Sequence, residues 1–130
     1  MDDAKFTGNT GLAEISLANA TLDGTGSGVV KVFEPNSSLS GAMINSIRIK
    51  SIQKCTPGMI RFFIGNGDLK FLFLEVRVFG TDPSNISPSF SRFIQFPRGS
   101  MLLQPTSQLW ATTQVSEKFH IIVDGNDWYY

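Results

Sequence analysis

Apolar and polar residues alternate along the middle of the chain, from Met43 to Phe79. Three successive runs carry this pattern, MINSIRIKSIQK, MIRFFIGNGD and LKFLFLEVRVFG. A period of two over such lengths predicts β-strands with one buried face, and the last two runs, joined by a short turn, predict a hairpin. In the first run Ile47 and Ile49 share one face of the predicted strand, whereas Arg48 lies on the other.

The turn around Asn66-Gly67 leaves two registers open for this hairpin. A two-residue turn sets the even-numbered residues of 60–64 on one face with the odd-numbered residues of 69–73. A three- or five-residue loop sets them with the even-numbered residues of 72–78 instead. We favour the odd loop because it builds one almost wholly aliphatic face. The opposite face then mixes aromatic, sulfur-containing and charged side chains: Met59, Arg61, Phe63, Phe71, Phe73, Glu75 and Arg77.

The rest of the chain also predicts strands, separated by loops that are rich in glycine and proline. Residues 12–22 fit either a helical stripe or a strand, and we favour the strand. Further strands are predicted at 29–34, 90–96, 108–114 and 118–125. About eight strands without a convincing helix indicate an all-β protein, an antiparallel β-sandwich of the jelly-roll type.

We divide the chain into three parts. Residues 1–11 are small and polar and are interpreted as an N-terminal tail, and residues 12–125 as the jelly-roll domain. Residues 126–130 form an aromatic C-terminal tail that contains Trp128, Tyr129 and Tyr130. Consecutive aromatic side chains rarely remain in water, so this tail is predicted to dock on the same domain or on a neighbouring subunit.

Charge and composition narrow the classes of function. Eleven basic and eleven acidic residues cancel, which disfavours a general attraction to nucleic acid or to an anionic membrane. No run of residues approaches the ~20 apolar residues of a membrane span. The first residues lack the basic and apolar parts of a secretory signal, and we therefore interpret the sequons at Asn19, Asn36 and Asn85 as coincidences.

Residues that could perform chemistry are sparse. Cys55 is the one cysteine and His120 the one histidine, so neither belongs to a metal-binding cluster or to a nucleophile with its base. Gly24, Gly26 and Gly28 have the spacing of a phosphate-binding loop, but a β-branched segment follows them instead of a helix. We therefore expect a protein that is not an enzyme and has no catalytic residue, cofactor or metal.

The mixed face of the hairpin is the candidate interaction surface. Phe and Met beside Arg match the composition of protein interfaces better than that of open surface, although another part of the same chain could cover them. The candidate interface residues are Met59, Phe63, Phe71, Phe73, Trp128, Tyr129 and Tyr130. An alternative is a carbohydrate platform that is built from Trp110, Trp128 and the two tyrosines.

The order of three segments supplies a resemblance. LDGTGSGVVKVF, then INSIRIKSIQKCTPGMIRFFIGNGD, then FPRGSMLLQPTSQLWATTQVSEKFHIIVDG resembles the plan of small single-domain virion proteins of tailed bacteriophages, over residues 12–125. The resemblance implies a jelly-roll protein that is made in the bacterial cytoplasm and then decorates or braces the capsid surface. It also implies a homotrimer, with the major capsid protein or other virion proteins as partners. The alternative on such a particle is a module that binds a host surface or a glycan.

Overall fold

The computed structural model describes residues 5–36, 41–84 and 87–129. These residues contain nine strands and no helix, so the prediction of an all-β protein is confirmed. The strands are β1 (Lys5–Ile15), β2 (Val30–Phe33), β3 (Gly41–Ser51), β4 (Gly58–Gly65), β5 (Lys70–Val78), β6 (Ser91–Gln95), β7 (Leu102–Leu103), β8 (Gln108–Thr113) and β9 (Phe119–Tyr129).

The strands form two antiparallel sheets that pack face to face. Sheet A has the order β1-β9-β3-β6, with the short β7 added to β3, and sheet B has the order β2-β8-β4-β5. Apart from β7, the first strand thus pairs with the last and the second strand with β8, which is the order of a jelly roll with two Greek keys. The predicted jelly-roll sandwich is therefore confirmed.

The core lies between the two sheets. Sheet A contributes the inward side chains of Ile47, Ile49 and Ile121, all without exposed surface. Sheet B contributes Ile60 and Phe62 from β4, which are equally buried. Each fully buried side chain of this size stabilises the fold by roughly 1.5–3 kcal/mol relative to exposure. The alternation in β3 is as predicted, because Arg48 is exposed between its two buried isoleucine neighbours.

The β4–β5 hairpin contains both an agreement and a difference. From Gly58 to Phe62 the strand pairs with residues 78 to 74 in the predicted register. Between Phe62 and Phe63 the register then shifts, so that Phe63 pairs with Leu72 and Gly65 with Lys70. The loop therefore has four residues, 66–69, instead of an odd number. A β-bulge at Phe73 absorbs the extra residue.

The segments that we interpreted as terminal tails differ most from the prediction. Lys5 to Ile15 form one continuous ladder with Tyr129 to Phe119, so the described parts of both tails belong to sheet A. The domain thus begins before residue 12 and extends past residue 125. Conversely, residues 16–22, which we predicted to continue the first strand, make only an isolated bridge from Ala18 to Thr113. The two tails lack the alternation of apolar and polar residues that predicts a strand. Hydrogen bonds between the main chains of β1 and β9 hold them in sheet A instead.

Candidate functional site

The candidate interface residues on β4 lie on the outer face of sheet B, but they do not form an exposed patch. Met59 is half-buried and Phe63 has 0 % of its surface exposed. Phe63 is flanked in the register by Trp110 of β8 and Leu72 of β5. The neighbouring Arg61 bonds Glu75 at 3.2 Å. Side chains of the chain itself thus cover Phe63, so it offers no surface to a partner.

The bulge moves the two candidate phenylalanines of β5 away from that outer face. Phe73 is half-buried and packs on the core, with its ring 5.9 Å from that of Phe96. Phe71 pairs with the inward residue Ile64 at the open end of the sandwich and is 63 % exposed. Leu69 in the turn is exposed as well, and so is Leu72, which lies on the opposite face of β5 beside Phe63. We call these three exposed residues, Leu69, Phe71 and Leu72, the hairpin patch.

The C-terminal aromatic residues have separate outcomes. Trp128 is half-buried near the end of β9, where it pairs with Phe6 of β1 and Gly41 of β3. Its indole lies over Gly41 so closely that a Cβ at that position would overlap the ring. Tyr129 is placed in β9 by its backbone, and Tyr130 lies outside the described residues. Trp128 therefore docks on its own sheet.

The outer face of sheet A has a row of three apolar residues and one arginine that the sequence analysis did not select. Leu12 pairs with Ile122, Ile122 with Arg48, and Arg48 with Phe93, so the row crosses β1, β9, β3 and β6. Leu12 is 75 % and Phe93 48 % exposed. The guanidinium carbon of Arg48 lies 4.7 Å from the centre of the Phe93 ring. We call these four residues, Leu12, Ile122, Arg48 and Phe93, the sheet A row.

A depression of about 370 Å³ opens on the same face, on the side of the row nearer the chain ends. Phe6 and Arg98 stand at it, with the guanidinium carbon 5.9 Å from the ring centre. On its floor Asn45 donates a hydrogen bond to Asn126 at 2.8 Å. Aromatic, aliphatic and Arg side chains on one face match the composition of protein interface cores.

Neither His120 nor Cys55 lies in a catalytic arrangement. His120 is exposed, and its Nε2 is 3.3 Å from the carboxylate of Glu14 on β1. The buried Cys55 thiol contacts the carbonyl oxygen of Phe79 and the hydroxyl of Thr81. Within residues 5–36, 41–84 and 87–129 no three potential metal ligands of the His, Cys, Asp and Glu types come together. The same ranges contain no helix that could cross a membrane.

A second depression, of about 420 Å³, lies between the loop that leads into β2 and the β4–β5 turn. Trp110 forms one wall, and its indole N–H donates to the carbonyl oxygen of Gly65 at 3.1 Å. The ammonium nitrogen of Lys70 lies 4.5 Å from the indole centre. Asp23 and Asp68 also line the depression. The sequence indicated the glycines and Trp110 for separate reasons and did not bring them together, because the turn that brings Asp68 close is about forty positions away from the glycines.

The carboxylate of Asp23 is held in its charged form. Its Oδ1 accepts hydrogen bonds from the hydroxyl of Thr25 at 2.6 Å and from the Thr25 backbone N–H at 3.1 Å. These bonds lower the pKa of Asp23 below its ordinary value, with the hydroxyl of Thr25 as the largest cause. Asp23 therefore carries its negative charge at neutral pH.

Asn19 fixes the loop that supplies Asp23. Its amide nitrogen donates to the carbonyl oxygens of Thr25 and Ser27, at 2.9 and 2.7 Å. Its amide oxygen accepts from the backbone N–H and the hydroxyl of Thr21, at 2.9 and 2.7 Å. The side chain is only 8 % exposed. A glycan on this amide would replace one of the two hydrogens that make the donated bonds.

The Asn19→Ala variant is expected to lower the free energy of unfolding by roughly 1–3 kcal/mol, because it removes four hydrogen bonds within one loop. Chemical denaturation monitored by tryptophan fluorescence measures the change. Gln53→Ala, which shortens an exposed amide side chain, is the matched control and should leave the midpoint unchanged. Equal midpoints for the two variants would show that the four bonds do not hold the loop.

Comparison with known proteins provides no relative: no model of a protein family matches the chain, and no curated protein sequence matches it.

Proposed function

We propose that this chain is a structural protein of a tailed-phage virion that acts through contacts with other protein chains. Three features support the proposal: the sequence plan that resembles such proteins, the jelly-roll sandwich, and the exposed apolar surface on sheet A. The main support for the proposal is the sheet A row. Leu12, Ile122 and Phe93 are side chains of the kind that soluble monomers rarely align on one open face, because their exposure to water is unfavourable.

A second copy of the chain is the occupant that we propose for this face. The net charge is zero, so identical copies do not repel each other over long range. The hairpin patch lies in sheet B, in an edge strand and its turn, whereas the sheet A row lies on the outer face of the other sheet. Two different apolar patches on one chain are what a head-to-tail contact requires, and such contacts form a ring when the rotation from one subunit to the next closes after a whole number of subunits. A trimer is the ring that the resemblance implies.

In this ring the row of one subunit contacts the hairpin patch of the next. Stable interfaces bury ~800 Å² per partner and centre on a few apolar and aromatic anchors. Leu12 and Phe93 are anchors on one side and Phe71 on the other. The depression at Phe6 and Arg98 enlarges the contact area next to the row. The surfaces outside both patches remain for the capsid.

The virion role is tested on particles of the phage that encodes this chain. Purified virions are expected to contain the protein in a fixed ratio to the major capsid protein, as measured by quantitative mass spectrometry. Particles from a phage that lacks the gene should miss a layer of density on the head and should lose capsids faster on heating. Protein that stays in the lysate and is not recovered with virions would contradict the role.

A further inference from the structure

We propose that the depression between the 23–28 loop and the β4–β5 turn binds an uncharged pyranose sugar. This inference stands on the geometry of the loop and of sheet B and does not depend on the proposed trimer. The platform that combined Trp110 with Trp128 does not exist, because Trp128 belongs to β9 of sheet A and Trp110 to β8 of sheet B. Trp110 alone stands at a depression, with polar groups on the opposite side.

The groups at the opening are suited to hydroxyl groups, which both donate and accept hydrogen bonds. Asp23 uses Oδ1 for Thr25, and its Oδ2 accepts no hydrogen bond from the described residues, so this oxygen can accept one from a sugar hydroxyl. Lys70 donates one of its three N–H groups to the carbonyl oxygen of Gly67 at 3.2 Å. Its other two N–H groups can donate to oxygen atoms of a sugar. The Trp110 indole is half-buried and lines the depression, and the Lys70 ammonium lies over its ring, so the C–H groups of a pyranose pack on the part of the indole that Lys70 leaves uncovered.

Charge selects against other classes of small ligand. Two carboxylates with one ammonium group leave a net negative rim, which repels phosphates and carboxylates. Asp23 and Asp68 are two carboxylates, and no group of three metal-ligating His, Cys, Asp or Glu side chains is found in this part of the described chain. A neutral polyol can form hydrogen bonds with the two carboxylates and with the ammonium group, and it has no charge of its own that must be removed from water. The volume of about 420 Å³ lies at the lower end of small-ligand sites, which fits one or two sugar rings.

The site is held in shape before a ligand arrives. The four hydrogen bonds of Asn19 fix the loop that carries Asp23, and the bond from Trp110 to Gly65 fixes the indole. Gly24 has a φ of +73° and lies against the stem of Lys70, so a side chain at this position would collide with the lysine. A preformed site loses little conformational entropy on binding, which helps a small polar ligand to bind at all.

The test uses the intact chain, labelled with ¹⁵N, and a panel of methyl pyranosides: glucoside, galactoside, mannoside, rhamnoside and N-acetylglucosaminide. At least one of them is expected to shift the indole N–H signal of Trp110 and the amide signals of residues 23–26 and 67–70 in a saturable manner. No shift with any member at millimolar concentrations would overturn the proposal. Shifts confined to sheet A, or saturable shifts at this site with inorganic phosphate, would overturn it equally.

Two conservative variants locate the contact. Asp23→Asn keeps the shape of the side chain and removes its charge, and Lys70→Met keeps the stem and removes the ammonium group. Each is expected to weaken binding by about tenfold or more, because hydrogen bonds to charged groups are the stronger ones. Asp124→Asn, an exposed carboxylate on sheet A, is the control and should bind as the unaltered chain does. Unchanged affinity of Asp23→Asn, with a spectrum that shows the native fold, would assign the shifts to another surface.

Discussion

The Leu12→Asp variant is expected to have the mass of one folded chain in native mass spectrometry, and the unaltered protein is expected to have the mass of three. Leu12 is 75 % exposed in the single chain, so the substitution leaves the fold intact. In the proposed ring the same position is covered by the neighbouring subunit, and a carboxylate there would be desolvated without a partner. Burying such a charge costs several kcal/mol at each of the contacts, which is enough to dissociate the ring.

Phe71→Asp should break the ring in the same way from the opposite side of the contact. A mixture of the two variants then reports on the symmetry. A chain with an altered row keeps its hairpin patch, and a chain with an altered hairpin patch keeps its row, so one intact contact forms between the two. The mixture is expected to show a heterodimer and no larger ring.

The controls distinguish this contact from non-specific association through exposed apolar residues. Leu22→Asp alters another exposed leucine, at 60 %, that belongs to neither patch, and it should remain trimeric. If two subunits instead contacted each other row to row, the Phe71→Asp variant would stay oligomeric and the mixture of the two variants would contain no heterodimer. Leu12→Asp that still has the mass of three chains would refute the proposed contact.

Gly11→Ala is expected to be among the most destabilising small substitutions in this protein. Gly11 lies in β1 where that strand approaches β2, and a Cβ there would overlap the carbonyl oxygen of Val32. The obstacle is backbone, so β1 or β2 must move and loosen the ladders that each strand makes. Overpacking of this kind costs about 1–3 kcal/mol and sometimes more. Thermal unfolding followed by circular dichroism should show a melting temperature lower by several degrees.

Gly8→Ala is the matched control, because it adds the same methyl group three residues earlier in the same strand. No atom lies within 4 Å of a Cβ at Gly8. Alanine also loses less backbone entropy than glycine on folding, so this variant should be neutral or slightly stabilised. If the two variants melted at the same temperature, the close approach of β1 and β2 would not constrain the fold.

The sequence predicted the strands whose two faces differ in polarity. Ile47 and Ile49 alternate with Arg48, and this alternation of buried and exposed positions identifies β3 without knowledge of the strands that pair with it. The pattern also predicted the register at the base of the hairpin, where Ile60 pairs with Val76. Two such faces in one chain of this size lead to a sandwich, since each needs the other to cover it.

The differences arise where the information is not local. The KFTGNTG segment of β1 has no apolar alternation, and it becomes a strand because β9 pairs with it along its whole length. The bulge at Phe73 depends on the four-residue loop and on space beside Phe96, and neither is visible in the run of residues itself. A single extra residue in the ladder was enough to move Phe71 and Phe73 to the other face.

The candidate surface was missed for a related reason. Leu12 and Phe93 are single apolar residues far apart in the chain, and each alone is unremarkable on a protein surface. Only the strand order β1-β9-β3-β6 aligns them with Ile122 and Arg48. One local signal was available: Ile122 shares the wet face of its strand with His120 and Asp124, where a polar residue is the expectation.

The pairing of β1 with β9 has a consequence for synthesis. β9 lies between β1 and β3, so the ribosome has released the first strand long before its neighbour in sheet A exists. Sheet B also cannot form until late in translation, because β8, which lies between β2 and β4 and pairs with both, is translated almost as late as β9. Nascent chains that stop before residue 108 should therefore be sensitive to protease, and resistance should arise only when the last two long strands have emerged.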